Sequence, residues 1–165
     1  MIRRAVATDA ALLPAIEQAA GALFATVPGL EWLAAGRVLD ADEHVPAIRA
    51  GTAWVADDGA PFGFLTATVE RDALHIDEIA VVPARQGSGQ GRALIATAID
   101  EARARARGLA TVTLTTFRDV TWNAPFYARL GFVEASDARL SALLADEVAR
   151  GLPGERRCAM RLMLR

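Results

Sequence analysis

One stretch of this chain concentrates the residue types that bind anions and move protons. Leu74-His75-Ile76-Asp77-Glu78-Ile79-Ala80-Val81-Val82-Pro83 runs directly into Ala84-Arg85-Gln86-Gly87-Ser88-Gly89-Gln90-Gly91-Arg92. The first half alternates as a strand does and carries three titratable side chains, His75, Asp77 and Glu78. The second half spaces glycines at every other position ahead of a helical pattern. Glycine lets the backbone approach a ligand closely, and the first-turn amides of a helix are unsatisfied donors at the positive end of its dipole. That combination suits a pyrophosphate, and Arg85 and Arg92 flank it with guanidinium groups suited to charge-assisted contacts. The dinucleotide fingerprint G-x-G-x-x-G does not fit, because its third glycine falls where Arg92 or Leu94 stands.

Period-2 alternation puts His75 and Asp77 on one face of the strand and Leu74 and Ile76 on the other. The pattern then slips. Glu78 is polar where an apolar residue is due, and Ile79 is apolar on the polar face. A β-bulge near Asp77–Ile79 accounts for the slip, and with one there alternation leaves both Asp77 and Glu78 open as the carboxylate that reaches a ligand.

The elements that position this stretch follow from periodicity and punctuation. Ile2 to Ala7 reads as a strand, and Thr8 and Asp9 supply an N-cap for a helix whose stripe is Leu12, Leu13, Ile16 and Leu23. Val27 to Gly51, broken by Pro28, Gly29 and Gly36, is expected to hold one or two short helices. Thr52 to Ala56 and Phe62 to Glu70 form a hairpin about Asp57-Asp58-Gly59, and a turn at Arg71-Asp72 leads into a third strand, Leu74 to Val82. Leu94, Ile95, Ala98, Ile99 and Ala102 trace a helix that Gly108 ends. Ala110 to Thr116 is a strand, and Asn123 to Leu130 a short helix with Pro125 in its first turn and Gly131 at its C-cap. Phe132 to Ala135 is strand-like, Leu140, Leu143, Leu144 and Val148 have helical spacing, and Cys158 to Leu164 closes the chain as a strand. The result is one mixed α/β layer structure with hairpins at its centre.

Composition excludes several chemistries. The chain has 165 residues, enough to bury a core without staples. All 18 basic residues are arginine, and the absence of lysine rules out a Schiff-base enzyme and a Walker-type phosphate loop. Cys158 is the one cysteine and His44 and His75 the two histidines, too few for an internal disulfide or a multi-thiolate zinc site, so no metal is expected. A net charge of −2 without a basic stripe argues against nucleic acid as a partner. Arg3 and Arg4 precede an apolar stretch, but Asp9, Pro14, Glu17 and Gln18 interrupt it as a signal peptide, and no apolar run is long enough to span a membrane. A cytoplasmic location is the expectation.

Gln86-Gly87-Ser88-Gly89-Gln90-Gly91 after Val81-Val82-Pro83 resembles the acetyl-CoA motif of the GNAT superfamily of N-acetyltransferases, Gln/Arg-x-x-Gly-x-Gly/Ala behind a strand with a V-x-P-like end. Gln90 departs from the aliphatic residue usual there, although its backbone amide is what the ligand needs. Trp122-Asn123-Ala124-Pro125-Phe126-Tyr127-Ala128-Arg129-Leu130-Gly131-Phe132 resembles the family's second motif, with its asparagine, tyrosine and Gly-Phe pair. The element order agrees over nearly the whole chain. The resemblance implies a single α/β domain over 1–165, with a mixed, mostly antiparallel central sheet of six to seven strands and helices on both faces. It implies acetyl-CoA as co-substrate and acetyl transfer to a small-molecule or peptide amine by direct attack through a tetrahedral intermediate. Family members often form homodimers.

The resemblance also assigns roles. Amides of Gln86, Gly87, Ser88, Gly89, Gln90, Gly91 and Arg92 would hold the CoA pyrophosphate. Backbone groups of Ile79, Ala80 and Val81 would pair with the pantetheine arm, and Asn123 and Phe126 would touch the cofactor. Tyr127, the only tyrosine, would protonate the departing thiolate. An alkylammonium titrates at ~10.4, so a base or a proton-accepting water must help deprotonate the acceptor. Register within the family favours His75 and Asp77 for that task, with Glu78 left open beside them, and the tetrahedral intermediate needs an oxyanion donor, a part suited to a strand amide near Ile79. The alternative is a non-catalytic acyl-CoA-binding sensor or interaction module on the same fold, which turnover would separate.

Other features read more plainly. Trp32, Trp54 and Trp122 are core or rim residues, Trp32 being the best placed to line an acceptor pocket. Glu31, Asp40, Asp42, Glu43 and His44 read as a solvated charged face, Arg103, Arg105 and Arg107 as solubilising charge, and Cys158 as a small apolar residue.

Overall fold

The computed structural model describes residues 1–105 and 108–165. Seven strands form one sheet, β1 (Ile2–Arg4), β2 (Ala53–Asp57), β3 (Pro61–Glu70), β4 (Ala73–Val81), β5 (Thr111–Phe117), β6 (Val133–Glu134) and β7 (Arg157–Met163). Their order across the sheet is β1-β2-β3-β4-β5-β7-β6, and every pairing is antiparallel except β4 with β5. Among the described residues five α-helices cover the sheet, α1 (Leu13–Gly21), α2 (Ala41–Ala50), α3 (Gln90–Ala104), α4 (Ala124–Arg129) and α5 (Ala138–Ala149). None of the described helices is long and apolar enough to cross a membrane.

Burial sorts the two faces. Leu65, Leu74, Ile76 and Val112 point into a core closed by Leu94, Ile95, Ala98 and Ile99 of α3 and by Tyr127 and Phe132 around α4. Val55, Phe64 and Ala80 point to the opposite face, where Leu13 and Ile16 of α1 pack. Thr115 of β5 meets Glu147 of α5 (2.5 Å).

Two boundaries depart from expectation. The first strand ends at Arg4 because the Asp9 carboxylate takes the Val6 amide (2.8 Å) and the Arg3 guanidinium, turning Ala7–Asp9 into a 3-10 turn. Asp9 therefore caps that turn, and α1 starts only at Leu13, with Leu12 outside its buried stripe at 45% exposure. Within 27–51, Asp40 and Glu43 form a reciprocal capping box at the start of α2, which tolerates Pro46 inside it. Arg103 pairs with Asp100 on the exposed side of α3, and Arg107 lies outside the described residues.

The feature that builds the site is the seam between β4 and β5. The strands pair only where Ala73, Leu74 and His75 face Thr111, Val112 and Thr113, and beyond these three rungs they part. The other edge of β4 stays paired to β3 throughout, apart from a bulge: Ile76 faces Ala67 and Glu78 faces Thr66, so Asp77 is the extra residue.

Candidate active site

The mouth of the gap between β4 and β5 is a cradle of backbone amides. The Arg85 amide donates to the Val82 carbonyl (2.9 Å), and that of Gln86 to Pro83 (3.2 Å). From Gly87 to Arg92, however, no backbone amide donates to any described residue. Gly87 (φ 75°) and Gly89 (φ 82°) adopt left-handed conformations that L residues avoid, and a Cβ on either would meet nothing within 4 Å. The six amides thus stand unengaged at the N-terminus of a 15-residue helix, a donor set suited to a diphosphate. A Cβ on Gly91 would lie 3.7 Å from Cζ of Phe126, which backs the cradle.

Gln86 is a clamp rather than an open donor. Its side-chain amide donates to the Val81 carbonyl (2.8 Å), tying the loop to the end of β4, and its backbone amide, expected to hold the pyrophosphate, is taken by the Pro83 carbonyl. Ser88 Oγ donates back to the Arg85 carbonyl (2.6 Å). The two flanking arginines differ. Arg85 is held by Asp58 and lies 4.5 Å above the Phe62 ring, whereas Arg92 is exposed and pairs with no carboxylate among the described residues.

The bulge settles how the titratable residues of β4 are presented. His75 and Glu78 both point away from the α3 core, since Leu74, Ile76 and Ile79 pack into it. With Asp77 as the extra residue, two consecutive carboxylates meet the same face. Asp77 Oδ2 accepts a hydrogen bond from Thr68 (2.7 Å), and partial desolvation raises its pKa. Glu78 is half-buried, and burial followed by the charge of Glu17 pushes its pKa up to about 8. Its carboxylate accepts from the Ile79 amide (3.2 Å), the expected oxyanion donor. His75 is buried, with Nδ1 2.9 Å from Thr113 Oγ1, and burial followed by the Arg139 charge lowers its pKa to about 4. At neutral pH it is an uncharged residue at the closed end of the gap.

Tyr127 is 7% exposed, packed edge-to-face against Phe126 and Phe132. Its hydroxyl has no hydrogen-bond partner among the described residues, yet it is not among the sealed unpaired polar atoms, so it keeps an opening. Burial, then the Glu78 charge, holds its pKa well above the ordinary phenol value, and Arg157 opposes them. The phenol therefore senses β4 on one side of the gap and β7 on the other, and stays protonated. Asn123 precedes α4 and accepts the Phe117 amide at its side-chain oxygen (3.3 Å), anchoring the helix to the end of β5.

Three residues of this region escaped the sequence reading. Glu17 of α1 has a pKa raised to about 7 by burial, against a hydrogen bond from the Leu39 amide (3.3 Å). Glu147 of α5 makes a bidentate pair with Arg157 (2.9 and 3.0 Å). Each sits on the apolar stripe of its own helix, Glu17 four residues after Leu13 and Glu147 seven after Leu140, and a charge on such a stripe is the available signal. The third, His44, corrects the solvated-face expectation: it is 1% exposed and packs against Phe64. Trp54 is core, Trp122 half-buried and Trp32 51% exposed.

A seven-stranded sheet splayed at one parallel seam, with an amide cradle at its mouth, defines the GNAT class of acyltransferases. A family profile described as "Acetyltransferase (GNAT) domain" matches residues 49–134, over half the chain and both motif regions, so the chain belongs to the GNAT acetyltransferase family. Solved structures share the fold end to end. The ribosomal-protein-S18-alanine N-acetyltransferase of Escherichia coli superposes with a TM-score of 0.70 at 23% identity, covering 99% of this chain and 93% of that one. Rv2747 from Mycobacterium tuberculosis, in complex with CoA, gives 0.68 at 23% identity over 100% and 99%. The paiA N-acetyltransferase of Thermoplasma acidophilum, in complex with coenzyme A, gives 0.72 at 13% identity over 99% and 98%.

Proposed function

We propose that this protein transfers an acetyl group from acetyl-CoA to the nitrogen of an amine, by direct attack in the gap between β4 and β5. The observation that carries this reading is the row of six unengaged amides from Gly87 to Arg92 at the mouth of a gap whose walls hold Glu78 and Tyr127. Bound acetyl-CoA would supply the thioester carbonyl and a thiolate leaving group. The amides, with Arg92 beside them, hold the two phosphates, and the β5-facing edge of β4 beyond His75 offers backbone groups to an extended arm. Rv2747 and paiA, which share the fold, are structures in complex with CoA, which supports acetyl-CoA as the donor.

Glu78 is the base that the geometry favours. A carboxylate with a pKa of about 8 lies near the operating pH, where a general base is most effective, whereas His75 near 4 is a weak base. The carboxylate takes the amine proton, and as it turns toward the amine it releases the Ile79 amide to meet the developing oxyanion. Tyr127, protonated at every physiological pH, donates to the leaving sulfur. Thiol release from acetyl-CoA across a panel of amines tests the reading, which fails if no amine is turned over. Gly89→Glu sets a carboxylate and a left-handed non-glycine residue in the cradle, so calorimetry should show CoA binding lost, and undiminished affinity would remove the loop from the site.

A further inference from the structure

Asn123 stands at the N-cap of α4, where an asparagine side chain ordinarily accepts an amide of its own first turn. Here it does not. Its backbone leaves the regular regions (φ −110°, ψ −118°), its side chain makes no bond to the helix it precedes, and its side-chain oxygen turns back to accept the Phe117 amide of β5 (3.3 Å). That amide lies on the gap side of β5. Successive amides of a strand point to opposite edges, and the Arg118 amide goes to the Arg156 carbonyl on the β7 side (2.7 Å), so the Phe117 amide points toward β4.

The bond bears on Tyr127 because little else fixes the phenol. α4 is six residues long, with Pro125 in its first turn, and a helix that short is not stable by itself. The Tyr127 amide donates to the Asn123 carbonyl one turn back (3.1 Å), which couples the phenol to the anchored residue. The Tyr127 hydroxyl has no hydrogen-bond partner among the described residues. Its place is therefore set by the packing of its ring on Phe126 and Phe132 and by the seat of the helix.

We propose that Asn123 is a positioning residue for acetyl transfer: by accepting the Phe117 amide, its side chain fixes α4 to the gap-side edge of β5 and thereby holds the Tyr127 hydroxyl at the gap, where the thiolate leaves. The inference rests on the acetyl-transfer reading and gives Asn123 a part other than the cofactor contact its motif implies. The two parts use different atoms. Anchoring needs the side-chain oxygen as an acceptor. With that oxygen engaged by Phe117, a contact to the pantetheine arm falls to Nδ2 as a donor.

The test measures kcat and the KM for acetyl-CoA on the full chain, with whichever amine of the panel the wild type turns over fastest. Asn123→Ala should lower kcat by up to about a hundredfold, the effect of misplacing a reacting group by an ångström, while the KM holds. Asn123→Asp keeps the acceptor and removes the donor, so it should recover most of that loss without raising the KM. Asn123→Ala combined with Tyr127→Phe should be no slower than Tyr127→Phe alone, because both changes act on one proton donor. A raised KM in Asn123→Asp, losses that multiply in the combined variant, or an Asn123→Ala protein as fast as wild type would each overturn the inference. A spectroscopic readout separates it from acetyl transfer. Tyr127 is the only tyrosine, so ring-labelled tyrosine gives one set of NMR signals, displaced by the Phe126 and Phe132 rings at 5.3 and 5.9 Å. Asn123→Ala should move that set toward the position of an exposed tyrosine, and Asn123→Asp should hold it in place. That pattern in a protein that turns over no amine keeps the anchor and removes the acetyl-transfer reading, whereas signals indifferent to Asn123→Ala overturn the anchor.

Discussion

Glu147 and Glu78 are carboxylates on the same side of one sheet, and the chain treats them in opposite ways. Glu147 is sealed beneath α5 with a complete set of partners: both of its oxygens accept from Arg157, and Thr115 donates to one of them. Arg157 is in turn stacked 4.6 Å over Phe117. Among the described residues Glu78 has no ion-pair partner and one bond, from its neighbouring amide, and burial outweighs the charge of Arg157 to push its pKa up to about 8. A carboxylate whose desolvation is met by fixed partners contributes structure. One whose desolvation is left unmet keeps a raised pKa, the property on which the proposed base role of Glu78 rests.

Substitutions should divide along that line. Glu78→Gln is expected to lower kcat by about 10²–10⁴-fold, the usual worth of general base catalysis, with folding intact. The pH dependence fixes the sign. Glu78 is protonated below its folded pKa, so wild-type kcat/KM should climb as pH rises through about 8, and Glu78→Gln should lose that inflection. Because the folded pKa lies above the unfolded one, the stability this group gives is complete below the unfolded carboxylate range and is lost as pH rises through 8. Glu78→Gln should therefore melt higher than wild type at pH 9. Glu147→Ala should do the reverse, costing about 3–5 kcal/mol in denaturant unfolding because Arg157 is left buried and unpaired. If Glu147→Ala spared stability and abolished turnover, the division would be wrong. Tyr127→Phe is expected to have the smallest effect, about ten- to a hundredfold in kcat with CoA affinity kept, since a thiolate leaves readily without full protonation. An unchanged rate would strip the phenol of its part.

The parts of this site that were legible in the sequence are those set by local rules. Alternating glycines before a helical stripe announced the cradle, and the slip in alternation at Glu78 announced the bulge, because both are written within ten residues. Even so, alternation could not rank Asp77 against Glu78. That ranking depends on Glu17, Arg157 and the packing around β4, which come from distant parts of the chain. The fate of His44 was hidden for a related reason. Its neighbours Asp42 and Glu43 are acidic and exposed, so its segment reads as solvated, while α2 turns that one side chain inward against Phe64. Likewise the Gln86 clamp on Val81 is a tertiary contact across a turn, invisible to a motif that records only the glutamine.

The three-rung ladder joining Ala73–His75 to Thr111–Thr113 has a mechanical consequence. Among the described residues, this ladder and the bonds that the Ala110 and Thr111 amides give the Asp72 carbonyl beside it are the backbone stitching between β4 and β5, so the sheet is weakest where a guest chain would slot in. Backbone groups beyond His75 should exchange their hydrogens with solvent early, ahead of those in β3 or β7. A bound pantetheine arm would act as an eighth strand, and the sheet would close around its cargo.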